Sequence, residues 1–240
     1  MKILLIAGHG AGDPGAPGSG YKEADLTREA ADLLGTELSR YASVVVFDTS
    51  KNAYQYLKNG GYINFKPFDY VLEIHFNAAV NDTKGNGKTT GTEIYITESE
   101  KGYSVEQNIV KGITNIGFKN RGVKRKNFDV ISAAKRQGVS AALLEVCFID
   151  DIDDMKLYQS NKREIAKAIT KGIVDGFGLK KGVENMKFKD VSIEHWAYKA
   201  IEEAAEKGYM QGYPDGTFRP EEPVTRAEMA AVLSRIKKEG

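Results

Sequence analysis

The chain has 240 residues, of which 41% are hydrophobic and 28% charged, a balance typical of a globular protein with one full α/β domain and a small second module. The net charge of +1 gives no reason to expect nucleic acid as a partner, and no apolar run approaches the ~20 residues of a membrane-inserted helix. A single cysteine, Cys147, excludes an intrachain disulfide framework. The N-terminal apolar run is too short for a signal peptide, so we expect synthesis in the cytoplasm without a leader.

Three short apolar strands carry a polar residue at or near their ends. The first, Ile3 to Ala7, lacks alternation, as in a strand buried on both faces, and a glycine-rich loop with His9 follows. The other two are Tyr70 to Ile74, followed by His75, and Ala141 to Val146, which contains Glu145. Polar groups at the ends of buried strands predict a site at one edge of an α/β sheet.

Helices alternate with strands through the rest of the first 178 residues, which indicates an α/β layer architecture. We predict helices at Glu23 to Tyr41, Ser104 to Phe118 and Asn161 to Phe177, and further strands at Ser43 to Phe47 and Gly91 to Thr97. The pattern is weak from 51 to 67. Residues 77–90 predict an exposed loop, and 123–132 a ribbon-like connection with basic residues.

The composition changes near Leu179, where Lys180-Lys181-Gly182 is typical of a linker. We therefore predict a domain at 1–178, a linker at 179–187 and a small all-α module at 188–240. A module of this size without disulfides is marginally stable alone, so we expect it to need partners or packing.

Two histidines and a glutamate form a candidate metal site. His9, Glu23 and His75 offer the nitrogen and oxygen donors of catalytic zinc sites, in which three protein ligands leave a position for water. Glu145 would then transfer protons between water and the leaving nitrogen. The ligands are scattered along the chain, so the residues alone also allow His9 to cap a helix and His75 to be a hydrogen-bonded histidine at a strand end.

Four motifs occur in order along the same region. They are Gly8-His9-Gly10 with Asp13 to Ala16, Glu23 opening a helix with Leu26, Glu73 to Ala78, and Leu143 to Asp150. Together they resemble the zinc-dependent N-acetylmuramoyl-L-alanine amidases of the Amidase_3 class.

That resemblance implies that His9, Glu23 and His75 bind one zinc ion per chain. It also implies that Glu145 is the catalytic acid and base, and that the enzyme cuts the amide bond between N-acetylmuramic acid and L-alanine in peptidoglycan. The implied structure is the zinc-hydrolase-like amidase fold, a twisted mixed sheet flanked by helices.

The chain departs from this family pattern after its second strand, where the family commonly has an arginine and this sequence has Asp48 and Thr49. The departure concerns substrate positioning more than metal binding. Glu73 shares a strand face with His75, so it is either a group that supports the ligand or, as we expect, a solvated strand residue.

The C-terminal module has its own set of motifs: Phe188 to Val191, His195-Trp196-Ala197, Gly212 to Pro220 and Val224 to Glu228. These resemble one S-layer homology repeat, a module that binds secondary cell-wall polymers. The resemblance implies that Trp196 is an apolar platform and Arg226 a contact for an anionic group. The residues alone also allow Trp196 to anchor the module's core and Arg226 to pair with a helix carboxylate.

The family's polymer-binding grooves lie between neighbouring repeats, and this chain has one repeat. We therefore predict a homo-oligomer, a dimer or trimer through 188–240. The overall expectation is a phage-type endolysin that acts at the cell wall after holin-type release. Two alternatives stay open: a zinc peptidase acting within the stem peptide, and a non-catalytic cell-wall adaptor.

Overall fold

Six strands form the central sheet of the computed structural model, in the order β4-β1-β5-β8-β6-β7, and β2 and β3 form a separate hairpin. The strands are β1 (Lys2–Ala7), β2 (Pro17–Gly18), β3 (Tyr21–Lys22), β4 (Ser43–Val46), β5 (Tyr70–Asn77), β6 (Thr92–Ile96), β7 (Asn120–Arg125) and β8 (Ser140–Phe148). Strands β4, β1, β5 and β8 are parallel, whereas β6 runs antiparallel to β8. The sheet is therefore mixed, as predicted.

The structure describes residues 1–79, 82, 85, 87, 89–180, 188–192 and 195–236, and its contacts divide the chain into two units, 1–181 and 182–240. Residues 181–187 of the predicted linker lie outside the described part. Within that part, no helix combines the length and the apolar character required to cross a bilayer.

Helices cover both faces of the sheet. They are α1 (Glu23–Leu38), α2 (Ala53–Lys58), α3 (Ser104–Thr114), α4 (Asp129–Arg136) and α5 (Ile152–Phe177) in the first unit, and α6 (Tyr198–Glu206) and α7 (Arg226–Ile236) in the second. One apolar cluster joins α1, α3 and α5 to the sheet, and another joins α2 and α4 to the opposite face. The predicted α/β fold with a small helical C-terminal module is confirmed.

Two predicted boundaries were wrong. The supposed ribbon at 123–132 is the end of β7 followed by the start of α4, a helix too short for its periodicity to stand out among basic residues. Helix α5 begins at Ile152, where the Asp151 carboxylate caps the amide of Asp154, and not at Asn161. Asn161 instead marks a kink within α5, with φ of −130°.

The parallel strands place the expected site residues at one sheet edge. Glycine 8 donates from its amide to the carbonyl of Ile74, which fixes the loop after β1 against β5. His75 on β5 stands in register with Glu145 on β8. Because successive parallel strands end at the same edge, residues far apart in the chain become neighbours there.

The second unit has a small core of Phe188, Val191, Ile201 and Ala205. A capping box begins α7: Thr225 Oγ1 accepts from the Glu228 amide at 3.2 Å, and the Glu228 carboxylate accepts from the Thr225 amide at 2.7 Å. None of the side chains of α7 is buried.

Helices α3 and α5 approach each other closely at Gly172, so a larger residue at this position should destabilise the fold. A Cβ added at Gly172 of α5 would lie 2.6 Å from the backbone nitrogen of Ile109, so Gly172→Ala would push the helices apart. We expect a loss of about 1–3 kcal/mol in the free energy of unfolding, measured with urea. The control is Gly102→Ala, where an added Cβ meets no atom within 4 Å. Equal unfolding midpoints for the two variants would contradict this packing.

Candidate metal centre

The side chains of His9, Glu23 and His75 converge, and one ligand atom from each lies within 4.8 Å of the others. Oε2 of Glu23 is 3.1 Å from Nε2 of His9, and Oε1 is 3.0 Å from Nδ1 of His75. The two imidazole rings meet edge to face, with centroids 4.9 Å apart. This group can hold a metal ion, and it consists of the three residues selected from the sequence.

The loop after β1 places His9 in a left-handed backbone conformation, with φ of 62°, which is uncommon for a residue with a side chain. Paired backbone hydrogen bonds between Gly10 and Asp13, at 2.8 and 3.0 Å, close the loop. The Asp13 carboxylate accepts from the amide of Gly15 at 3.0 Å. The loop is thus fixed internally, and it directs the His9 ring toward Glu23.

Each candidate ligand is oriented by a further polar group. Asp13 Oδ2 lies 2.9 Å from Nδ1 of His9 and also accepts from the side-chain amide of Asn52 at 3.0 Å. Glu73 Oε1 lies 3.2 Å from Nε2 of His75. Glu73 is 4% exposed, so our expectation of a solvated strand residue was wrong, and the alternative of a supporting group is correct.

Arg28 on α1 is a residue that the sequence analysis missed. Its guanidinium donates to the carbonyls of His9 at 3.1 Å and Thr49 at 2.9 Å, and more weakly to Gly8 at 3.3 Å. A Cβ at Gly10 would lie 1.7 Å from Nη2 of Arg28, so only glycine leaves room for it. The cation thus joins the ligand loop to the segment after β4, the place where the family's arginine is missing.

Glu145 lies beside this group and has an unpaired oxygen. Its Oε2 is buried without a hydrogen-bond partner in the described part of the chain. Burial raises the pKa of Glu145 to about 7, the charge of His75 opposes the rise, and the carboxylates of Glu23, Glu93 and Glu73 add to it. A carboxyl group with this pKa can both accept and donate a proton near neutral pH.

The ligand group itself is electrostatically coupled. Burial alone would raise the pKa of Glu23, but hydrogen bonds with His75 and His9 outweigh it and hold that pKa well below its usual range. Burial would lower the pKa of His75, and hydrogen bonds with Glu23 and Glu73 instead raise it well above its usual range. Glu23 is therefore an ionised carboxylate that requires positive charge beside it, from imidazolium or from a metal ion.

A cavity of about 230 Å³ opens onto these residues. Its walls include His9, His75 and Glu145 together with side chains from α2, α4 and the loops before them, among them Asn52, Tyr54, Phe128 and Asp129. A substrate can therefore reach the candidate ligands and Glu145 from one side.

The two polymer-binding candidates lie in the second unit. Trp196 is 89% exposed and stacks on the ring of His195 at 5.8 Å between centroids, so it does not anchor the module's core. Arg226 is the exposed first residue of α7. Both side chains are available at the surface of this unit.

The fold and the site together give an α/β domain in which three candidate metal ligands adjoin a free carboxylate, the arrangement found in metal-dependent hydrolases. The model of the N-acetylmuramoyl-L-alanine amidase family matches residues 3–175, and the S-layer homology domain model matches residues 187–230. The chain belongs to the N-acetylmuramoyl-L-alanine amidase family, as its motifs predicted. It is a peptidoglycan amidase that carries a cell-wall-targeting domain.

Individual proteins agree with this assignment. The sporulation-specific N-acetylmuramoyl-L-alanine amidase of Bacillus subtilis is 30% identical over 189 residues, which cover 75% of this chain and 70% of that protein. The endolysin of Bacillus phage SPP1 is 29% identical over 75% of this chain and 67% of its own length. The crystal structure of an N-acetylmuramoyl-L-alanine amidase from Clostridium difficile 630 matches 74% of this chain and 96% of that chain, with a TM-score of 0.60 and 24% identity, and shows the same fold.

The contacts of Arg28 predict that it positions a metal ligand. We expect Arg28→Met to lower the affinity of the chain for zinc by about 10–100-fold, because the His9 carbonyl loses its cation while all three ligands remain. Competition with a chromogenic chelator measures this affinity. Arg163→Met, on the exposed surface of α5, is the matched control. Unchanged zinc affinity in the Arg28 variant would show that the loop is held without the guanidinium.

Proposed function

We propose that this chain is a zinc-dependent amidase that hydrolyses the bond between the lactyl group of N-acetylmuramic acid and L-alanine. His9, Glu23 and His75 would hold one zinc ion, and Glu145 would transfer protons. The observation that carries the proposal is the convergence of these three ligand atoms within 4.8 Å beside a buried, unpartnered Glu145 oxygen. Two imidazoles and one carboxylate are a donor set that catalytic zinc accepts.

The metal and Glu145 have separate tasks in this proposal. When bound, zinc supplies a Lewis acid that polarises a carbonyl and lowers the pKa of water to about 7. Glu145 accepts a proton from the attacking water at its free Oε2 and then delivers it to the departing amide nitrogen. The pKa of Glu145, raised to about 7 by burial, allows both transfers without a large free-energy difference.

Further polar groups orient each of the three proposed ligands. Asp13 and Glu73 hold the imidazole nitrogens that face away from Glu23, so each ring offers its remaining nitrogen to the metal. The amides of Ala16 and Phe76 donate to Glu23 at 2.9 and 3.0 Å. The ligands are thereby positioned before metal or substrate arrives, which reduces the entropy lost on binding.

Glu145→Gln tests the catalytic assignment. The amide cannot accept a proton, so we expect hydrolysis of peptidoglycan to fall by a factor of about 10²–10⁴ while zinc stoichiometry stays at one per chain. Removal of zinc by a chelator should abolish the activity of the unaltered chain, and added zinc should restore it.

The chemistry of the released fragments separates the alternatives. An amidase releases intact stem peptides with a free N-terminal L-alanine, whereas a stem peptidase leaves L-alanine on the glycan. An unchanged rate of hydrolysis in Glu145→Gln would contradict the role proposed for Glu145, and no fragments from the unaltered chain would favour the non-catalytic adaptor and contradict the proposal.

We also propose that the second unit binds a secondary cell-wall polymer through Trp196 and Arg226. The support is the S-layer homology match and the exposure of both side chains. An endolysin-type lytic role at the cell wall, with holin-type release, is proposed from the similarity to the phage endolysin.

A homo-oligomer through the second unit is part of the same proposal. Met229, Leu233 and Ile236 recur along one side of α7 and are 46%, 54% and 44% exposed. Such a helix gains little from folding unless another surface covers this stripe, and a second or third copy of the module would do so.

We expect sedimentation to give the mass of a dimer or trimer for the full chain and of a monomer for the double variant Met229→Glu with Leu233→Glu. The double variant Ala227→Glu with Ser234→Glu, on the same helix and with the same added charge, serves as the control and should keep the oligomer. A monomeric unaltered chain would contradict the proposal.

A further inference from the structure

A second cleft adjoins the catalytic cavity. It measures about 540 Å³ and lies between α2, α4 and the segment at residues 61–63. Tyr54 and Asp129 line both hollows, so the cleft continues the cavity that holds His9, His75 and Glu145. The volume falls within the ~300–1,000 Å³ of small-molecule sites. The part of a substrate that extends from the reacting bond toward α2 must therefore enter the cleft.

Two exposed tyrosines line this cleft. Tyr54 is 39% exposed and Tyr62 is 66% exposed, whereas aromatic rings of this size are ordinarily covered. Apolar Leu57 and Ile63 contribute to the same surface, and Lys58 and Gln137 contribute hydrogen-bonding groups. The cleft thus combines aromatic faces with scattered polar atoms.

The backbone of Tyr62 is fixed on both sides. Gln137 accepts from the amide of Phe65 at 2.9 Å and donates to the carbonyl of Ile63 at 2.8 Å, which joins this segment to the end of α4. The amide of Gly61 donates to the carbonyl of Tyr56 at 2.8 Å, and a Cβ at Gly61 would lie 2.5 Å from that oxygen. Tyr62 is therefore an exposed ring on a rigid support, which lowers the entropic cost of using it for binding.

We propose that this cleft binds the glycan strand of the substrate, with Tyr62 and Tyr54 stacking on sugar rings that extend from the cleaved muramoyl unit. The proposal rests on the amidase function proposed above, because that bond joins a glycan to a peptide and one of the two must leave the cavity on this side. Tyrosine offers an apolar face to the C–H surface of a pyranose ring and a hydroxyl to its edge. The ammonium group of Lys58, which donates one hydrogen bond to the hydroxyl of Tyr54, has further donors for sugar hydroxyls and acetamido groups.

Aromatic faces, more than charge, favour the glycan over the peptide in this cleft, whose lining also includes the cations Lys58 and Arg136 and the carboxylate of Asp129. Stem peptides carry carboxylates, and the cations of Arg121 and Lys124 stand on β7, at the sheet edge opposite β4 and α2. Both cations contact Glu93, which is registered with Glu145 and is 1% exposed. These two cations on β7 are therefore already engaged by a carboxylate.

The test is calorimetric binding of a peptide-free tetrasaccharide of alternating N-acetylglucosamine and N-acetylmuramic acid to the full chain. We expect Tyr62→Ala to weaken this binding about tenfold, because a stacking contact is lost. Tyr62→Phe keeps the ring and should bind like the unaltered chain. Tyr103→Ala, which removes a 40% exposed tyrosine outside the cleft, is the matched control.

The outcomes are distinct. Equal affinities for Tyr62→Ala and the unaltered chain, or no binding of the tetrasaccharide, would overturn the proposal. So would a Tyr62→Ala effect confined to binding of a stem peptide. If Tyr62→Ala does not fold, judged by its urea midpoint, Tyr62→Leu replaces it and should show the same loss. The tetrasaccharide lacks the amide between the lactyl group and L-alanine, so Tyr62-dependent binding of it without release of stem peptides from peptidoglycan would contradict the amidase function and leave the glycan site standing.

Discussion

The Glu23 carboxylate is the group on which the site depends, because it is ionised and 3% exposed. A buried carboxylate is stable only with positive charge and hydrogen-bond donors around it. Two imidazoles and two backbone amides meet that requirement, and they come from the loop between β1 and β2 and from β5. The first residue of one helix therefore fixes where two distant segments must meet, and it also places two negative oxygens where a cation can be held.

The sequence predicted these candidate ligands because their positions follow simple rules. Uninterrupted apolar strands indicated β1, β5 and β8, and parallel strands bring their ends to one edge. The motifs then identified which polar residues at that edge belong together. Arg28 and Asn52 could not be predicted in this way, since their contacts with the His9 loop join residues that no periodicity relates. The available signal for Arg28 was its place on the same helix as Glu23, in the turn that follows it.

The elements that the sequence analysis missed are the ones that form the walls of the substrate clefts. Helices α2 and α4 are short, so they offer too few turns for a hydrophobic pattern to be recognised. Their stability comes from packing, with Ala53, Val130 and Ala134 buried against the sheet. The rest of each helix faces solvent and carries Tyr54, Asp129 and Arg136, which line the cleft. The hydrophobic periodicity of the sequence is therefore weakest in the two helices that form this cleft.

Two buried glutamates, Glu106 and Glu145, differ in the hydrogen-bond partners that the fold gives their carboxylates. Burial raises the pKa of both Glu106 and Glu145. The Glu106 carboxylate accepts from the hydroxyl of Tyr70 at 2.7 Å, so its burial is compensated and it joins α3 to β5. Glu145 keeps one oxygen without a partner, a cost that folding alone gives no reason to retain. Glu145 lines the ligand cavity, where a carboxylate able to accept a proton is what a proton-transfer step requires. An unsatisfied oxygen, which Glu73 in the same cavity lining also has and Glu106 lacks, therefore marks this cavity as the candidate site of proton transfer more than the raised pKa does.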